Sequence, residues 1–336
     1  MDDAHDALLR DAFPDADDTF LRRCHAWRGD APHGTRTFLA RDDPDYPVLL
    51  RRLSDAPRLL FVDGDATCLW HPAIAIVGTR VPTVVGRDNA RLFAGELARR
   101  GWCIASGMAA GIDTIAHRSA LDCPEGRTVA VLGTGIDVPY PPGNRALMGD
   151  IAARGVVVSE YPPGAPGHAG QFPRRNRIVA GLSLGTLVVE AAFRSGALIT
   201  ARLAADAGRE VFALPGSIHN PMARGCHRLL RDGAQLVETV DEIEAALKPI
   251  AEACAHDLRG RLGVPNSLTA AAQHGSREMD ADTHRLWKAL GHDPTPMEAL
   301  VDRTGLTAAE LASILLVMEL EGRVVSEHGR YTRKSS

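Results

Sequence analysis

The chain has 336 residues, 45% of them hydrophobic and 24% charged, with a formal net charge of −4. That is ample material for two or three domains with their own cores, and it contains no apolar run long enough to span a membrane. The negative balance excludes indiscriminate polyanion binding, while six singly scattered cysteines and an acidic N-terminus without an apolar signal segment lead us to expect a reducing cytoplasm.

Residues 1–68 read as a small helical N-terminal region, with apolar helix faces at 7–9 and 20–27 and an interruption at Pro14. Asp45-Tyr46-Pro47-Val48-Leu49-Leu50 is a helix start, and 59–62 is strand-like, closed by Asp63-Gly64-Asp65. Packing or partner binding is the role expected here.

The stretch 74–121 organises the rest. Its first run, 74–77, is short, β-branched and unbroken and stops at Gly78, as a strand buried on both faces should. A helix over 87–100 follows, with Ala90, Phe93, Leu97 and Ala98 at helical spacing, and Gly101 ends it. A second strand, 102–105, runs into Ser106-Gly107, and a second helix opens near Gly111-Ile112-Asp113, where Asp113 is placed to satisfy free amides. Strand, helix, strand, helix makes a parallel sheet, which binds ligands beyond the carboxyl ends of its strands.

Gly78-Thr79-Arg80 and the turn from Ser106-Gly107 to Gly111 bring together small residues, bare amides and helix starts, and Arg80 adds a positive fork; the natural guest is a phosphate. The dinucleotide fingerprint is absent after the first strand, so an NAD site is not expected. Lys248, Lys288 and Lys334 are the only lysines, which excludes a P-loop or a Schiff base in this domain. No H-E-x-x-H or C-x-x-C offers a metal site, and no cofactor is implied.

The alternation then continues. A strand at 128–132 leads to a third glycine turn, Gly133-Thr134-Gly135, and a helix at 144–154 takes Asn144 as its expected cap. After a strand at 156–159, a Pro/Gly loop delivers Phe172-Pro173-Arg174-Arg175-Asn176-Arg177-Ile178-Val179-Ala180-Gly181. Three arginines, no acid, one ring and one amide are the mixture that single-stranded nucleic acid asks for: cations for phosphates and flat groups for bases. Strands at 186–189 and 211–214 flank a helix that opens at Ser195-Gly196 and includes Thr200. A short helix over 225–234, a strand at 235–238 and a helix over 241–248 close the domain and offer a surface for self-association.

Residues 251–282 have linker composition. In 283–336 a helix at 283–290 is followed by two capping boxes, Thr295-Pro296-Met297-Glu298 and Thr307-Ala308-Ala309-Glu310. Gly322 stops the last helix, and Val324-Val325-Ser326 and Tyr331-Thr332 flank His328-Gly329 as a hairpin, which makes a winged helix-turn-helix. Its recognition helix, 308–321, offers Glu310, Glu319 and Glu321 and no arginine, so a protein contact is at least as well supported as duplex reading.

Six ordered motifs carry a resemblance. Val77-Gly78-Thr79-Arg80, Ser106-Gly107-x-Ala109-x-Gly111-Ile112-Asp113-x-x-Ala116-His117, Gly133-Thr134-Gly135 with Tyr140-Pro141, Ser159-Glu160-Tyr161, Phe172-Pro173-x-Arg175-Asn176-Arg177 and Ser195-Gly196-x-Leu198-Ile199-Thr200 resemble the DNA-processing protein A (DprA/Smf) family over about residues 45–245. The resemblance implies an α/β fold: an extended Rossmann-like domain (69–250) between a small helical, SAM-like N-terminal region (1–68) and, after the linker, a C-terminal winged helix (283–336). It implies binding of single-stranded DNA during natural transformation, protection of that strand, help in loading the RecA recombinase, and no catalysis. The implied contacts are Gly78, Thr79, Arg80, Ser106, Gly107, Gly111, Gly133, Gly135, Phe172, Arg174, Arg175, Asn176 and Arg177, with Asn144 and Arg145 beside them. Where some relatives place a lysine after Tyr140-Pro141, this chain has Pro142-Gly143, so Arg145 or Arg174 is expected to replace that charge. Homodimerisation is implied near Gly225, His227, Leu230 and Leu236.

An enzyme reading stands beside this one. Nucleotide phosphoribohydrolases of the lysine-decarboxylase-like group share this style of sheet, and the likeness would rest on Gly185-Thr186 and Glu190; Leu182-Ser183-Leu184 stands where that group's Pro-Gly-Gly belongs.

Overall fold

The computed structural model describes residues 3–31, 36–261, 281–290, 295–308, 311, 314–315, 318, 324–327 and 330–333, in two compact units divided after Ala255. In the larger unit α1 (Asp3–Ala12) and α2 (Asp18–Gly29) precede β1 (Arg36–Ala40), α3 (Val48–Arg51), β2 (Leu59–Gly64) and β3 (Ala73–Val77). Then come α4 (Val84–Arg99), β4 (Cys103–Ser106), α5 (Ile112–Leu121), β5 (Thr128–Gly135), α6 (Arg145–Arg154) and β6 (Val156–Tyr161). The unit closes with α7 (Gln171–Leu182), β7 (Gly185–Val188), α8 (Gly196–Asp206), β8 (Glu210–Ala213), α9 (Arg224–Arg231), β9 (Gln235–Leu236) and, as far as Ala255, α10 (Val240–Arg261).

The nine strands form one sheet in the order β1-β2-β6-β5-β4-β3-β7-β8-β9, parallel from β6 to β9. Its central strands are apolar throughout because both faces are covered. Ala73, Ala75 and Val77 of β3 point to the side of α7 and α8, packing with Val129, Val131, Ile178 and Ala201. Ile74 and Ile76, alternate residues of the same strand, point to the side of α4, α5 and α10, with Phe93, Leu97, Ile112 and Ile243. The chain leaves β3 through β4, β5 and β6 in one direction and returns at β7 on the other side of β3. That reversal opens a crevice at the carboxyl ends of β3 and β7.

Two regions differ from the expected division. Residues 1–68 are not a helical appendage: β1 and β2 add antiparallel strands to the same sheet, Phe61 standing opposite Ser159. Leu9, Trp27, Phe38 and Phe61 share a core with Leu132, Leu147 and Val157, so the expected boundary at 68 falls inside one packed unit. Arg36 stabilises the edge, donating to Asp63 Oδ2 at 2.9 Å and to the carbonyls of Trp27 (2.8 Å) and Asp30 (2.7 Å). At the other end α10 runs through Pro249 to Arg261, so the first part of the expected 251–282 linker is helical. Ala251 and Cys254 pack with Ile243 and Leu247, which offsets the amide missing at Pro249. Residues 262–280 lie outside the described residues.

The second unit contains α11 (Ala281–Ala289), β10 (Thr295–Pro296), α12 (Met297–Thr304), β11 (Val324–Glu327) and β12 (Arg330–Arg333), with strand order β10-β12-β11. Thr295 is not a helix cap; it pairs with Tyr331 in the sheet, and Pro296 stands at the start of α12. Leu311, Leu315 and Met318, at helical spacing, pack with Leu286, Leu300 and Val324. Ala309, Glu310, Glu319, Glu321, Gly322 and the hairpin tip His328-Gly329 lie outside the described residues.

Within the larger unit His117 on α5 is fully buried. Its Nδ1 meets Thr128 Oγ1 at 2.7 Å, and Nε2 has no partner among the described residues. Burial, reinforced by the charge of Arg175, pushes its pKa down to about 3. The unfolded chain takes up a proton here below about pH 6.5 and the folded chain does not, so stability present at neutral pH is lost as pH falls through that window. Urea midpoints across the window are expected to fall less steeply for His117→Gln than for the parent.

Candidate nucleic-acid interface

A crevice of about 890 Å³ opens at the β3/β7 reversal. The turn after β3 brings Gly78, Thr79 and Arg80 to it, the turn after β4 brings Gly107 and Asp113, and the start of α8 brings Ser195, Gly196 and Thr200. A smaller recess of about 190 Å³ is lined by Gly133, Tyr140 and Phe172, and again by Arg80 and Arg175. The expected glycine turns and basic decapeptide therefore converge at one place.

The turns are locked to each other. Gly111 has φ +83°, and a Cβ there would stand 2.6 Å from Arg80 O; Ile112 N donates to Thr79 O at 3.2 Å. Thr79 N is itself spent on Glu190 O at 2.7 Å. In the second turn Asp113 Oδ2 accepts from Gly107 N (3.2 Å) and Ala109 N (3.3 Å). The amides expected to receive a phosphate are thus bonded to the chain's own carboxylate. Burial raises the Asp113 pKa to about 6, against the pull of Arg175 and the two amides. Ser106 is fully buried and ties β4 to β3 through Ile76 O at 2.7 Å, so its hydroxyl does not face the crevice. Gly135 N anchors the Pro/Gly loop through Ala165 O at 2.9 Å.

On α7, Phe172, Arg175, Asn176 and Val179 line the crevice, at the i, i+3, i+4, i+7 spacing of one helix face. Arg175 is buried; its Nη1 donates to Gly107 O and Val131 O, and its Nε to Asn176 Oδ1 at 3.2 Å. Its Nη2 has no acceptor among the described residues and is not sealed from solvent, so it opens into the crevice. Burial lowers this guanidinium's pKa to about 10, still charged at neutral pH, and Asp113 opposes the shift. Arg177, also expected as a phosphate contact, is spent elsewhere. It is buried, bidentate to Glu160 (2.8 and 3.2 Å), and its Nε lies 3.1 Å from Asp55.

Arg80 is exposed, lines both cavities, and has no ion-pair partner among the described residues. Neither Arg145, exposed on α6, nor Arg174, which is 3.7 Å from Glu160, lines them. Asn144 does not cap α6 with its side chain. Buried, it donates to Met108 O (3.0 Å) and Thr114 Oγ1 (2.9 Å), steadying a turn in which Met108 has φ +62°. Sequence reasoning passed over three participants. Tyr140 stands 4.6 Å, ring to ring, from Phe172. The start of α8, capped by Ser195 and free of acids, faces the crevice. Arg194, exposed between the lining residues Ala192 and Ser195, adds a cation to the rim; an arginine directly before a helix-opening Ser-Gly was the available signal.

Glu190, on which the enzyme reading rests, is buried and committed to the start of α4. It accepts from Thr83 N (2.9 Å) and Thr83 Oγ1 (2.6 Å) and from Asn220 Nδ2 (3.3 Å). At the far sheet edge Leu236 of β9 is 47% exposed and His227 and Leu230 are half-buried. Gly225 is internal, its amide bonded to Ala191 O at 2.7 Å.

The family model described as DNA recombination-mediator protein A matches residues 37–248, and a DprA winged helix domain model matches 270–330. Protein Smf of Escherichia coli is 40% identical over 294 residues, covering 87% of this chain and 76% of that protein. DNA processing protein A of Streptococcus pneumoniae, known from an X-ray structure, superposes with a TM-score of 0.62 at 40% identity, over 68% of this chain and 78% of that one. The structure concerned with the single-stranded DNA binding mode of DNA processing protein A from Helicobacter pylori gives 0.58 at 32% identity, over 65% of this chain and 97% of that one.

The geometry separates two arginines that composition treats alike. Replacing the buried Arg177 with methionine leaves the half-buried Glu160 carboxylate only the longer contact to Arg174 and is expected to cost about 3 kcal/mol of stability. Arg80→Ala, at an exposed and unpaired side chain, is expected to stay within about 0.5 kcal/mol. Urea unfolding of the two variants measures both.

Proposed function

Because the chain belongs to the DNA recombination-mediator protein A family, we propose that its crevice binds single-stranded DNA. The observation that carries this is the convergence of the unpaired Arg80, the open Nη2 of Arg175, the acid-free start of α8 and the Tyr140–Phe172 ring pair on one crevice. Phosphates lie between Arg80 and the start of α8, with Arg175 reaching them through Nη2, while the space a Cβ would take at Gly78 is filled by Ile112 and Glu190 O. One base stacks on the ring pair over Gly133, which contributes about 1–3 kcal/mol. Arg145, Arg174 and Arg194 lie outside the lining and attract the strand as it approaches. Asn144, Ser106 and Arg177 hold the walls rather than the ligand.

On this reading the protein serves natural transformation: it covers incoming single-stranded DNA, protects it, and helps load the RecA recombinase. It works as a homodimer through the edge of β9, with Leu236, Leu230 and His227 outermost. A phosphoribohydrolase has no support at Glu190, whose carboxylate is occupied by Thr83 and Asn220.

Fluorescence anisotropy of a labelled oligonucleotide, compared with a duplex of the same length across a salt series, tests the proposal. With roughly three to five phosphates neutralised, log affinity is expected to fall against log salt with a slope of about −2 to −3.5. Arg80→Ala is expected to reduce that slope by about 0.7 and to weaken all sequences alike. Phe172→Ala is expected to lower affinity with the slope unchanged. Equal binding of duplex, or indifference to Arg80→Ala, would overturn the assignment.

A further inference from the structure

A phosphate-binding crevice with a buried acid in its wall needs an explanation. The formal charges among the lining residues are Arg80, Arg175 and Asp113, which leaves the site near +1 rather than +2. Asp113 is 6% exposed, and its carboxylate already sits where an anion would, on the amides of Gly107 and Ala109. Other groups face it from every side. Arg175 comes from α7 and Ser106 from the end of β4, Arg80 acts on that same Arg175 from the turn after β3, and His117, one turn along the helix of Asp113, is kept neutral by burial. Tyr161 of β6 acts on the same Arg175.

Attraction between a site and an anion grows in proportion to the anion's charge, while the cost of stripping its water grows with the square of that charge. A strongly positive site therefore favours a doubly charged guest, and a weakly positive one favours a singly charged guest. Resting on the single-stranded DNA reading above, we infer that Asp113 is the residue that selects the kind of phosphate: by filling the amide nest of the second turn it tunes the crevice to the singly charged internal phosphodiester and against the doubly charged terminal phosphate. The crevice then holds the middle of a strand in preference to a phosphorylated end or a free nucleotide.

Competition against a labelled oligothymidylate tests this, with a dinucleoside monophosphate (TpT, one diester) and thymidine 5′-monophosphate as the two probes. At about pH 8 the monoester carries two charges. The wild-type chain is expected to be displaced better by TpT, and Asp113→Asn, which keeps an acceptor for both amides, is expected to move the ratio of the two toward the monoester by about tenfold. A second readout needs no variant. The diester does not titrate between about pH 5 and 8, so its affinity is expected to rise as pH falls through the range in which Asp113 takes up its proton, about 6. His168, in the loop between the lining residues Gly167 and Ala169, supplies the control: His168→Gln keeps the pH profile and Asp113→Asn flattens it. An unchanged ratio in Asp113→Asn, or a flat wild-type profile, with the oligonucleotide still bound, would overturn this inference alone. Absence of any oligonucleotide binding by the wild type would overturn the single-stranded DNA reading and this inference with it.

Discussion

The crevice depends on one buried guanidinium. Arg175 is carried inward by α7, and its Nη1 is shared between the carbonyls of Gly107 and Val131, so a single side chain fastens the helix to the end of β4 and the middle of β5. Taking a cation out of water is costly, and the lowered pKa of this group records that cost. The two carbonyls and the facing carboxylate of Asp113 compensate it. The same carboxylate binds the amides of Gly107 and Ala109, and a Cβ at Gly107 would stand only 2.5 Å from Arg175 Nη2. Helix, turn and charge are thus one arrangement, and the glycine is required because the guanidinium packs against its backbone.

A chain of net charge −4 meets a polyanion by arranging its charges rather than by accumulating them. Arg36 is matched by Asp63, Arg100 by Asp241 and Glu244, and Arg177 by Glu160 and Asp55. The exposed pairs of Arg100 add little stability, whereas those of Arg36 and Arg177 are largely buried; in every case the partners cancel each other's field. Arg80 has no such partner among the described residues and lies where low-dielectric walls focus its field. Local potential, not total charge, therefore decides where an anion goes.

Much of the fold was legible because buried parallel strands have a plain signature. The runs at 74–77, 102–105, 128–132 and 156–159 are apolar and end at glycine or serine, and each became a strand of the central sheet. β1 was not legible. Arg36-Thr37-Phe38-Leu39-Ala40 lies at the sheet edge, pairs with β2 alone, and draws its order from Arg36, whose partners at Trp27 and Asp30 are on and just after the preceding helix and whose ion pair, Asp63, is 27 residues along the chain. The continuation of α10 past Pro249 was hidden for a related reason. A proline argues locally for an end, whereas the contacts of Ala251 and Cys254 that continue the helix are tertiary.

The basic decapeptide shows where composition stops and helical phase begins. Three arginines, a ring and an amide within six residues mark this segment for a polyanion, and nothing in that count distinguishes one arginine from another. A helix does distinguish them: at 3.6 residues per turn, positions two apart point about 200° away from each other. Once Phe172 faces the recess, Arg175, Asn176 and Val179 must share its face, and Arg177 must turn to the opposite side, where Glu160 and Asp55 wait. One arginine then shapes the site from within and the other secures the helix that carries it. An Arg–x–Arg pair on a helix that rims a ligand crevice therefore calls for an acid on the sheet beneath, as Glu160 of β6 supplies here, since otherwise the second cation would be buried without a partner.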